Sequence, residues 1–179
     1  GAADLVLFDA KTPKGALPGG MGLAFDWSLV AHWRGPLQSG VGPRAEPPVT
    51  WSEEENVRWK VALPGKGHST PVVWGGLVFV TSAVPVGEPV GPFVDDAPGT
   101  HDSVAVTHAQ SSVVLALERA SGKVVWERAL DERVPHEGGH MTGSYASASP
   151  ATDGEVVVAP FGSRGLYVLD ADGHELWRK

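Results

Sequence analysis

The sequence predicts an all-β fold built from four-stranded antiparallel sheets, and three observations support this prediction. Short apolar runs follow one another along residues 57–179, and they are too short and too alternating for helices. Residues typical of tight turns, such as Gly75-Gly76 and Asp153-Gly154, separate these runs as they do in β-hairpins. The series of four strands then occurs a second time, which indicates an internal repeat.

The first copy of the repeat is predicted over residues 67–130. Between its second and third strands lies an insertion at about residues 83–111 that the second copy lacks. Its four predicted strands are, in order, Val72–Trp74, Leu77–Thr81, Val113–Leu117 and Lys123–Trp126.

The second copy is predicted over residues 131–179. Trp126 and Trp177 end the two copies and lie 51 positions apart. The repeat length is therefore close to 51 residues, and the first copy is longer by its insertion. The four predicted strands are Pro150–Thr152, Glu155–Ala159, Leu166–Leu169 and Glu175–Trp177.

A period near 50 with four strands per unit is typical of a β-propeller blade. A ring generally needs four or more blades, so the sequence predicts a partial β-propeller, a fragment of a longer ring. Apolar residues alternate from Val57 to Leu63, and we interpret residues 51–66 as the outer strand of the ring-closing blade. Residues 1–50 are predicted to be an extended lead-in rich in Gly and Pro.

Composition excludes several classes of function. The formal net charge is −7, so a nucleic acid is not an expected partner. The absence of cysteine excludes disulfides, thiolate zinc sites and a catalytic thiol from these residues. No apolar run approaches the roughly 18 residues of a transmembrane helix, and Gly1–Met21 lacks the pattern of a signal peptide.

Trp126 and Trp177 are predicted to dock each sheet onto its neighbour, because an indole buries a large apolar area while its N–H needs a partner. Gly122 and Gly173 are predicted to adopt the positive φ that the preceding turns require. The carboxylates of Glu118 and Asp170 are expected to cap exposed backbone N–H groups in the same turns. These residues are therefore interpreted as structural, and no catalytic residue is assigned.

The long connections of an antiparallel meander emerge on one side, and we expect binding there because loops on a rigid scaffold often carry function. The predicted long connections are residues 65–68, 83–111, 134–147 and 160–165. The candidate binding residues on this loop face are His68, His136, His140, Tyr145 and Arg164.

His136-Glu137-Gly138-Gly139-His140 has the HExxH spacing of zinc proteases, but its two glycines and the preceding Pro135 disfavour the helix which that site needs. A metal site in a loop remains a hypothesis, with His136, His140, His101 and Asp102 as candidate ligands, and His108 beside them. Asp95-Asp96 and His101-Asp102 are further candidates for a hard cation such as calcium, although EF-hand spacing is absent.

The turn residues resemble a known family. Ala116, Glu118, Ser121, Gly122 and Trp126 resemble the Ala-x-Asp-x-x-Thr-Gly-x-x-x-Trp pattern of pyrroloquinoline-quinone-type propeller repeats, with Glu for Asp and Ser for Thr. Asp170, Gly173 and Trp177 form a shorter variant of it. Trp33-Arg34-Gly35-Pro36 and residues 147–154 also look like parts of secreted, quinoprotein-like propellers, so the resemblance covers about residues 33–179.

The resemblance implies a non-enzymatic binding or scaffold module in the periplasm or outside the cell, whose loop face binds a protein, peptide or glycan. One role known in the family is scaffolding the insertion of outer-membrane proteins. The alternative is a fragment of an alcohol or sugar dehydrogenase that uses pyrroloquinoline quinone and calcium. Such enzymes use a calcium-ligating Glu and Asn, a base Asp and often adjacent cysteines, whereas this chain has no Cys and a single Asn, Asn56.

Overall fold

A computed structural model describes the chain at residues 3–6, 49–52, 54–92 and 102–179, with residues 3–6 described by their backbone alone. This part of the chain consists of antiparallel β-sheets and one short 3-10 turn at Gly162–Arg164, without an α-helix. The prediction of an all-β fold is therefore confirmed. None of the described residues forms a helix long and apolar enough to cross a membrane.

The strands are numbered in chain order. They are β1 (Ala3–Val6), β2 (Lys60–Leu63), β3 (Val72–Trp74), β4 (Leu77–Val86), β5 (Ser103–Val104), β6 (Ala109–Glu118), β7 (Val124–Arg133), β8 (Gly139–His140), β9 (Ala151–Thr152), β10 (Val156–Pro160), β11 (Leu166–Asp170) and β12 (Glu175–Arg178).

Two four-stranded meanders correspond to the two copies of the repeat. The first sheet has the order β3-β4-β6-β7 and the second has the order β9-β10-β11-β12. Trp74 pairs with Leu77 across the Gly75-Gly76 turn, as the hairpin signal predicts. Two smaller sheets, β1-β2 and β5-β8, complete the described structure.

The sheets repeat in detail as well as in order. Trp126 of β7 pairs with Ala116, and Trp177 of β12 pairs with Val168 at the equivalent position. A register shift follows in both pairs of strands, leaving Val125 and Leu176 without a cross-strand partner. Both of these residues are exposed, at 56% and 54%. A shared β-bulge is a specific backbone feature, so it supports the alignment of the two copies.

The first sheet is buried on both faces, which explains its nearly continuous buried runs in β4 and β6. On one face Val78, Val80 and Leu115 pack with Leu63 of β2. On the other face Phe79 and Trp126 share a core with the second sheet. Side chains alternate between the two faces along each strand, so one strand contributes to both cores.

The central strands of the first sheet are longer than the sequence predicts. Residues 82–86 and 109–112 continue β4 and β6 and pair with each other, so the insertion spans residues 87–108 and the prediction of 83–111 was too wide. The sequence hides this extension because its residues include Ser82, Ser111 and Ser112, which are polar yet buried. Ser82 can be buried because its hydroxyl donates a hydrogen bond to the carbonyl of Pro64.

The strand predicted from Val57 begins later, at Lys60, and pairs with β1 inside the segment interpreted as the lead-in. Its side chains still alternate in burial, and Leu63 is the buried end of the strand. Leu63 contributes to the core on the outer face of the first sheet. The period-2 signal therefore identifies the correct face although it overestimates the strand length.

Three tryptophans pack against glycines in tight turns of the next sheet. A Cβ built on Gly122 would lie 2.5 Å from the Trp59 ring, and one on Gly173 would lie 2.7 Å from the Trp126 ring. A Cβ on Gly154 would lie 2.0 Å from Trp74 Nε1. All three glycines have positive φ, so both their backbone conformation and their lack of a side chain are required.

The hydrogen bonds of two of these indoles are equivalent. Trp59 Nε1 donates to the carbonyl of Arg119 at 2.9 Å, and Trp126 Nε1 donates to the carbonyl of Ala171 at 2.9 Å. Trp177 occupies the same position in the second sheet, yet it is 50% exposed, whereas Trp126 is 8% exposed. The described residues therefore place Trp59 and Trp126 in equivalent surroundings, and they place no sheet against Trp177.

Hydrogen bonds from two arginines also stabilise the contact between the two sheets. Arg128 Nε donates to the carbonyl of Gly173 at 2.8 Å, next to the Trp126 contact. In the other direction, Arg178 of β12 donates to the carbonyl of Leu130 at 3.1 Å. One bond runs from β7 to the turn between β11 and β12, and the other runs from β12 back to β7, so together they help to orient the second sheet on the first.

Candidate binding site on the long-loop side

The long connections contact one another on one side of the two sheets, which we call the long-loop side. His68 and Ser69 donate backbone hydrogen bonds to the carbonyl of Ala146, which links the first and third long connections. The insertion is tied to the third connection by the pairing of β5 with β8 and by a bond from Met141 N to the carbonyl of Asp102. The opposite, short-turn side carries the contacts between tryptophan and glycine described above.

Two cavities lie on the long-loop side. The smaller one has a volume of about 280 Å³ and is lined by residues of the connections after β7 and β10, namely Pro135, His136, Glu137, Ser144, Tyr145, Ser147, Ala148, Phe161, Gly162, Ser163 and Arg164. We call it the Arg164 cavity. It contains three of the predicted binding residues, His136, Tyr145 and Arg164.

The larger cavity has a volume of about 450 Å³ and lies between the insertion and the first sheet. Its lining includes Val104, Val106 and Gln110, together with His140 and Tyr145. Tyr145 therefore stands between the two cavities and contributes to both. His68 is exposed on the same side but does not line either cavity.

Arg164 is the most buried charged group at the smaller cavity, with only 8% of its side chain exposed. Its Nη2 donates to the carbonyl of Arg133 at 3.2 Å. Its Nη1 lies 3.9 Å from Asp131 Oδ2, which is too far for a hydrogen bond, and neither atom has a hydrogen-bond partner. The other oxygen of Asp131 accepts a bond from Arg133 Nε at 3.0 Å.

Tyr145 closes the cavity beside Arg164. Its hydroxyl donates to the carbonyl of Glu137 at 3.1 Å, which fixes the ring against the third long connection. Burial raises the pKa of Tyr145, while the nearby Arg164 acts in the opposite direction. Tyr145 is therefore a neutral hydrogen-bonding side chain at physiological pH.

The HExxH motif does not form a helix. Gly139–His140 is strand β8, and the two histidines have different neighbours. His136 Nε2 lies 3.8 Å from Glu137 Oε1, whereas His140 Nε2 lies 4.0 Å from Asp102 Oδ2. His140 Nδ1 also contacts the Thr142 hydroxyl at 2.8 Å. Because β8 pairs with β5, His136 and His140 do not share the face of a helix as the two histidines of a zinc protease do.

The structure brings together part of the predicted metal set. His140 and Asp102 approach each other, but no group of three or more His, Asp or Glu residues in the described ranges is arranged to hold a metal ion. Asp95, Asp96 and His101 lie outside the described residues. Among the described candidates, only His140 and Asp102 therefore approach each other.

The turn carboxylates act in two ways. Asp170 Oδ1 accepts from the backbone N–H groups of Asp172 and His174 at 3.0 and 2.8 Å, as the sequence predicts. Glu118 instead accepts from the Ser121 hydroxyl, and Ser121 Oγ accepts from Lys123 N at 3.2 Å. In the longer turn of the first sheet, the Ser121 hydroxyl thus links the Glu118 carboxylate to the backbone N–H of Lys123.

Comparison with known families decides the relationship of the chain. A family model described as outer membrane protein assembly factor BamB matches residues 46–179. The chain belongs to this family. The resemblance to pyrroloquinoline-quinone-type repeats is thereby confirmed, and membership of the BamB family supports a β-propeller module.

Three individual proteins match short stretches of the chain. N-(5'-phosphoribosyl)anthranilate isomerase of Parvibaculum lavamentivorans is 69% identical over 36 residues, 18% of this chain and 17% of the isomerase. The Cereibacter sphaeroides enzyme is 56% identical over 48 residues, 25% and 23% of the two chains. The Rhodospirillum centenum enzyme is 70% identical over 33 residues, 17% and 15%. These matches span less than a quarter of each isomerase, so they assign no activity to this member of the BamB family.

The described residues of this BamB-family chain do not fit a calcium and quinone centre. They contain one asparagine, Asn56, whose side chain donates to the carbonyl of Thr50, and they contain no group of three or more His, Asp or Glu residues that could hold a metal ion.

Proposed function

We propose that this chain contributes two blades of a β-propeller ring that acts as a non-enzymatic protein-binding scaffold, and that partners bind on the long-loop side. The observation that carries the proposal is the asymmetry of the two sides. Tryptophans such as Trp126 fill the short-turn side, whereas both cavities open on the long-loop side. Cavities and loops on a rigid scaffold are typical of binding sites.

The ring follows from the repetition of one contact. Trp59 docks on the turn of the first sheet, and Trp126 docks in the same way on the turn of the second. Trp177 presents an equivalent indole that is half exposed, with the apolar Leu176 beside it. We infer that a further sheet of the same kind covers Trp177, because stacked repeats bury such faces against their neighbours.

The class of partner is inferred from the family description, which names an outer membrane protein assembly factor. We infer a periplasmic location and a role in handling outer-membrane polypeptides during assembly. A protein partner is favoured over a glycan because the loop side offers backbone groups and apolar surface, including the exposed Val104 and Met141.

The proposal is tested by photocross-linking from the two sides of the protein. A photoreactive phenylalanine analogue is placed at Met141 or His136 on the long-loop side, and at Lys123 or Asp172 on the short-turn side as matched controls. Each variant is mixed with a urea-diluted outer-membrane β-barrel polypeptide. We expect cross-links from the first pair at least about five times those from the second.

Equal cross-linking from both sides, or stronger cross-linking from Lys123 and Asp172, would contradict the proposed binding side. A short soluble peptide and a neutral oligosaccharide serve as competitors, and displacement by the oligosaccharide alone would favour a glycan partner instead. Reduction of a redox dye by the protein supplied with quinone, calcium and an alcohol would support the dehydrogenase alternative.

A further inference from the structure

We propose that the Arg164 cavity is a subsite for a carboxylate attached to an apolar group, such as the chain end or an acidic side chain of a bound polypeptide. This inference rests on the proposed function, since it names the chemistry of one contact on the long-loop side. The Arg164 cavity has a volume of about 280 Å³, which accommodates a side chain or a chain end but not a folded domain.

Arg164 is incompletely paired in the structure. An arginine whose side chain is only 8% exposed normally has its N–H groups satisfied, because a buried donor without a partner is unfavourable. Nη1 of Arg164 has no hydrogen-bond partner, although Asp131 Oδ2 lies 3.9 Å away. Such a buried group in a native structure calls for an explanation, and a functional role is one of the recognised explanations.

Behind the cavity wall, Asp131 is the acidic partner of both Arg133 and Arg164. Asp131 lies between two arginines and directs one oxygen to Arg133, at 3.0 Å. The carboxylate therefore offsets part of the Arg164 charge without using its Nη1 donor. Arginine and carboxylate form short, frequently bidentate hydrogen bonds, so a ligand carboxylate is the natural partner of that donor.

The remaining lining defines what the carboxylate is attached to. The rings of Phe161 and Tyr145 supply apolar surface, and Ser163 at the rim supplies a hydroxyl. His136 and Glu137 also face the cavity, but both are more than half exposed and lie 3.8 Å from each other. The charge of Glu137 is therefore screened by solvent, whereas the Arg164 side chain is only 8% exposed.

Binding requires one small movement. Nη1 has no contact with solvent, so the guanidinium must turn towards the cavity to meet the ligand. That rotation breaks no hydrogen bond of Nη1. The guanidinium is rigid, so the same rotation also displaces Nη2 from the Arg133 carbonyl.

The test uses a pair of small molecules that differ only in charge. N-acetylphenylalanine and N-acetylphenylalaninamide are titrated into the full chain, and the backbone amide signals of Tyr145 and Ser163–Gly165 are followed by NMR. We expect the acid to bind at least about tenfold more tightly than the amide. N-acetylglutamylphenylalaninamide, which carries its carboxylate on a side chain, distinguishes an acidic side chain from a chain end.

Three variants assign the effect. Arg164→Gln should abolish the preference for the acid, and Lys123→Gln, which removes one charge from the short-turn side, should leave it unchanged. Asp131→Asn should strengthen binding of the acid about threefold or more and leave the amide unaffected, because it removes a competing carboxylate. If Asp131 and Arg164 have a purely structural role, Asp131→Asn should not increase the affinity for the acid.

Equal affinity for acid and amide, or no binding of either, would overturn the proposal. A preference that survives Arg164→Gln, or that weakens in Asp131→Asn, would do the same. If Arg164→Gln does not fold, the affinities for acid and amide are compared in the unmodified chain and in Asp131→Asn, and these two comparisons still test the proposal. A negative result here with intact cross-linking at Met141 would overturn the subsite and leave the proposed function standing.

Discussion

The indole of Trp126 lies directly on Gly173, so closely that a Cβ on this glycine would come within 2.7 Å of Cδ2 of the ring. The same indole donates its N–H to the carbonyl of Ala171 in the same turn. Trp59 and Gly122 stand in the same relationship one sheet earlier. A tryptophan on one sheet and a positive-φ glycine on the next thus form the repeated unit of inter-sheet packing.

Replacing Trp126 with alanine should lower the free energy of unfolding by about 3–5 kcal/mol, because it removes a buried aromatic side chain and a hydrogen bond. Trp177→Ala is the matched control, since Trp177 holds the same sheet position but is half exposed. Its loss should be less than half as large. Urea denaturation followed by circular dichroism measures both, and equal losses would contradict the docking role of Trp126.

Acid should weaken the turn that contains Asp170. The backbone N–H of His174 lowers the pKa of Asp170, and the His174 side chain acts in the same direction. A carboxyl whose pKa is lower in the folded state contributes stability above its unfolded pKa and loses that contribution as the pH falls through the folded value. The contribution should therefore be present at neutral pH and disappear below about pH 4.

Urea midpoints of the unmodified chain and of Asp170→Asn, measured at pH 7 and at pH 3, test this prediction. The variant should be less stable at pH 7, and the difference should shrink at pH 3. Asp172→Asn is the control, because the described contacts of Asp172 involve its backbone N–H and not its carboxylate. A difference that persists unchanged at pH 3 would show that Asp170 does not act through its charge.

Both tyrosines should ionise above the usual range. Burial raises the pKa of Tyr145 and of Tyr167, and the carboxylate of Asp131 adds to the effect at Tyr167. Because the folded pKa is raised, the stability from the neutral phenols is complete below about pH 10 and is lost at higher pH. Ultraviolet titration should show midpoints above those of the urea-unfolded chain, and coincident curves would contradict this. Tyr167→Phe isolates the signal of Tyr145.

Local sequence signals predicted the hairpins of both sheets, because the turn residues that form them are adjacent in the chain. Gly75-Gly76 and Asp153-Gly154 each lie between two strands that the structure pairs. The residues Trp59 and Trp74 were not recognised as docking groups, because their glycine partners lie 63 and 80 positions further along. Only the fold brings such pairs together.

The candidate site also combines features that local sequence signals predict with features that only the fold creates. The alternation of short and long connections predicts His136, Tyr145 and Arg164 on one side of the sheets, and the structure brings all three to one cavity there. The role of Asp131 could not be predicted, since an acidic residue in an outer strand is usually solvated. Its burial depends on the second sheet covering the end of β7, which is a tertiary effect without a local sequence signal.

The most direct test of the account is a double-mutant cycle between Trp126→Leu and Gly173→Ala, with Gly75→Ala as the reference. Gly75 also has positive φ, but a Cβ there would meet nothing within 4 Å, so its substitution measures backbone strain alone. We expect Gly173→Ala to exceed Gly75→Ala by more than about 1 kcal/mol in the unmodified chain, and to match it once Trp126 is leucine. Equal effects of the two alanines in the unmodified chain, or full additivity in the cycle, would contradict the claim that Trp126 docks the sheets together.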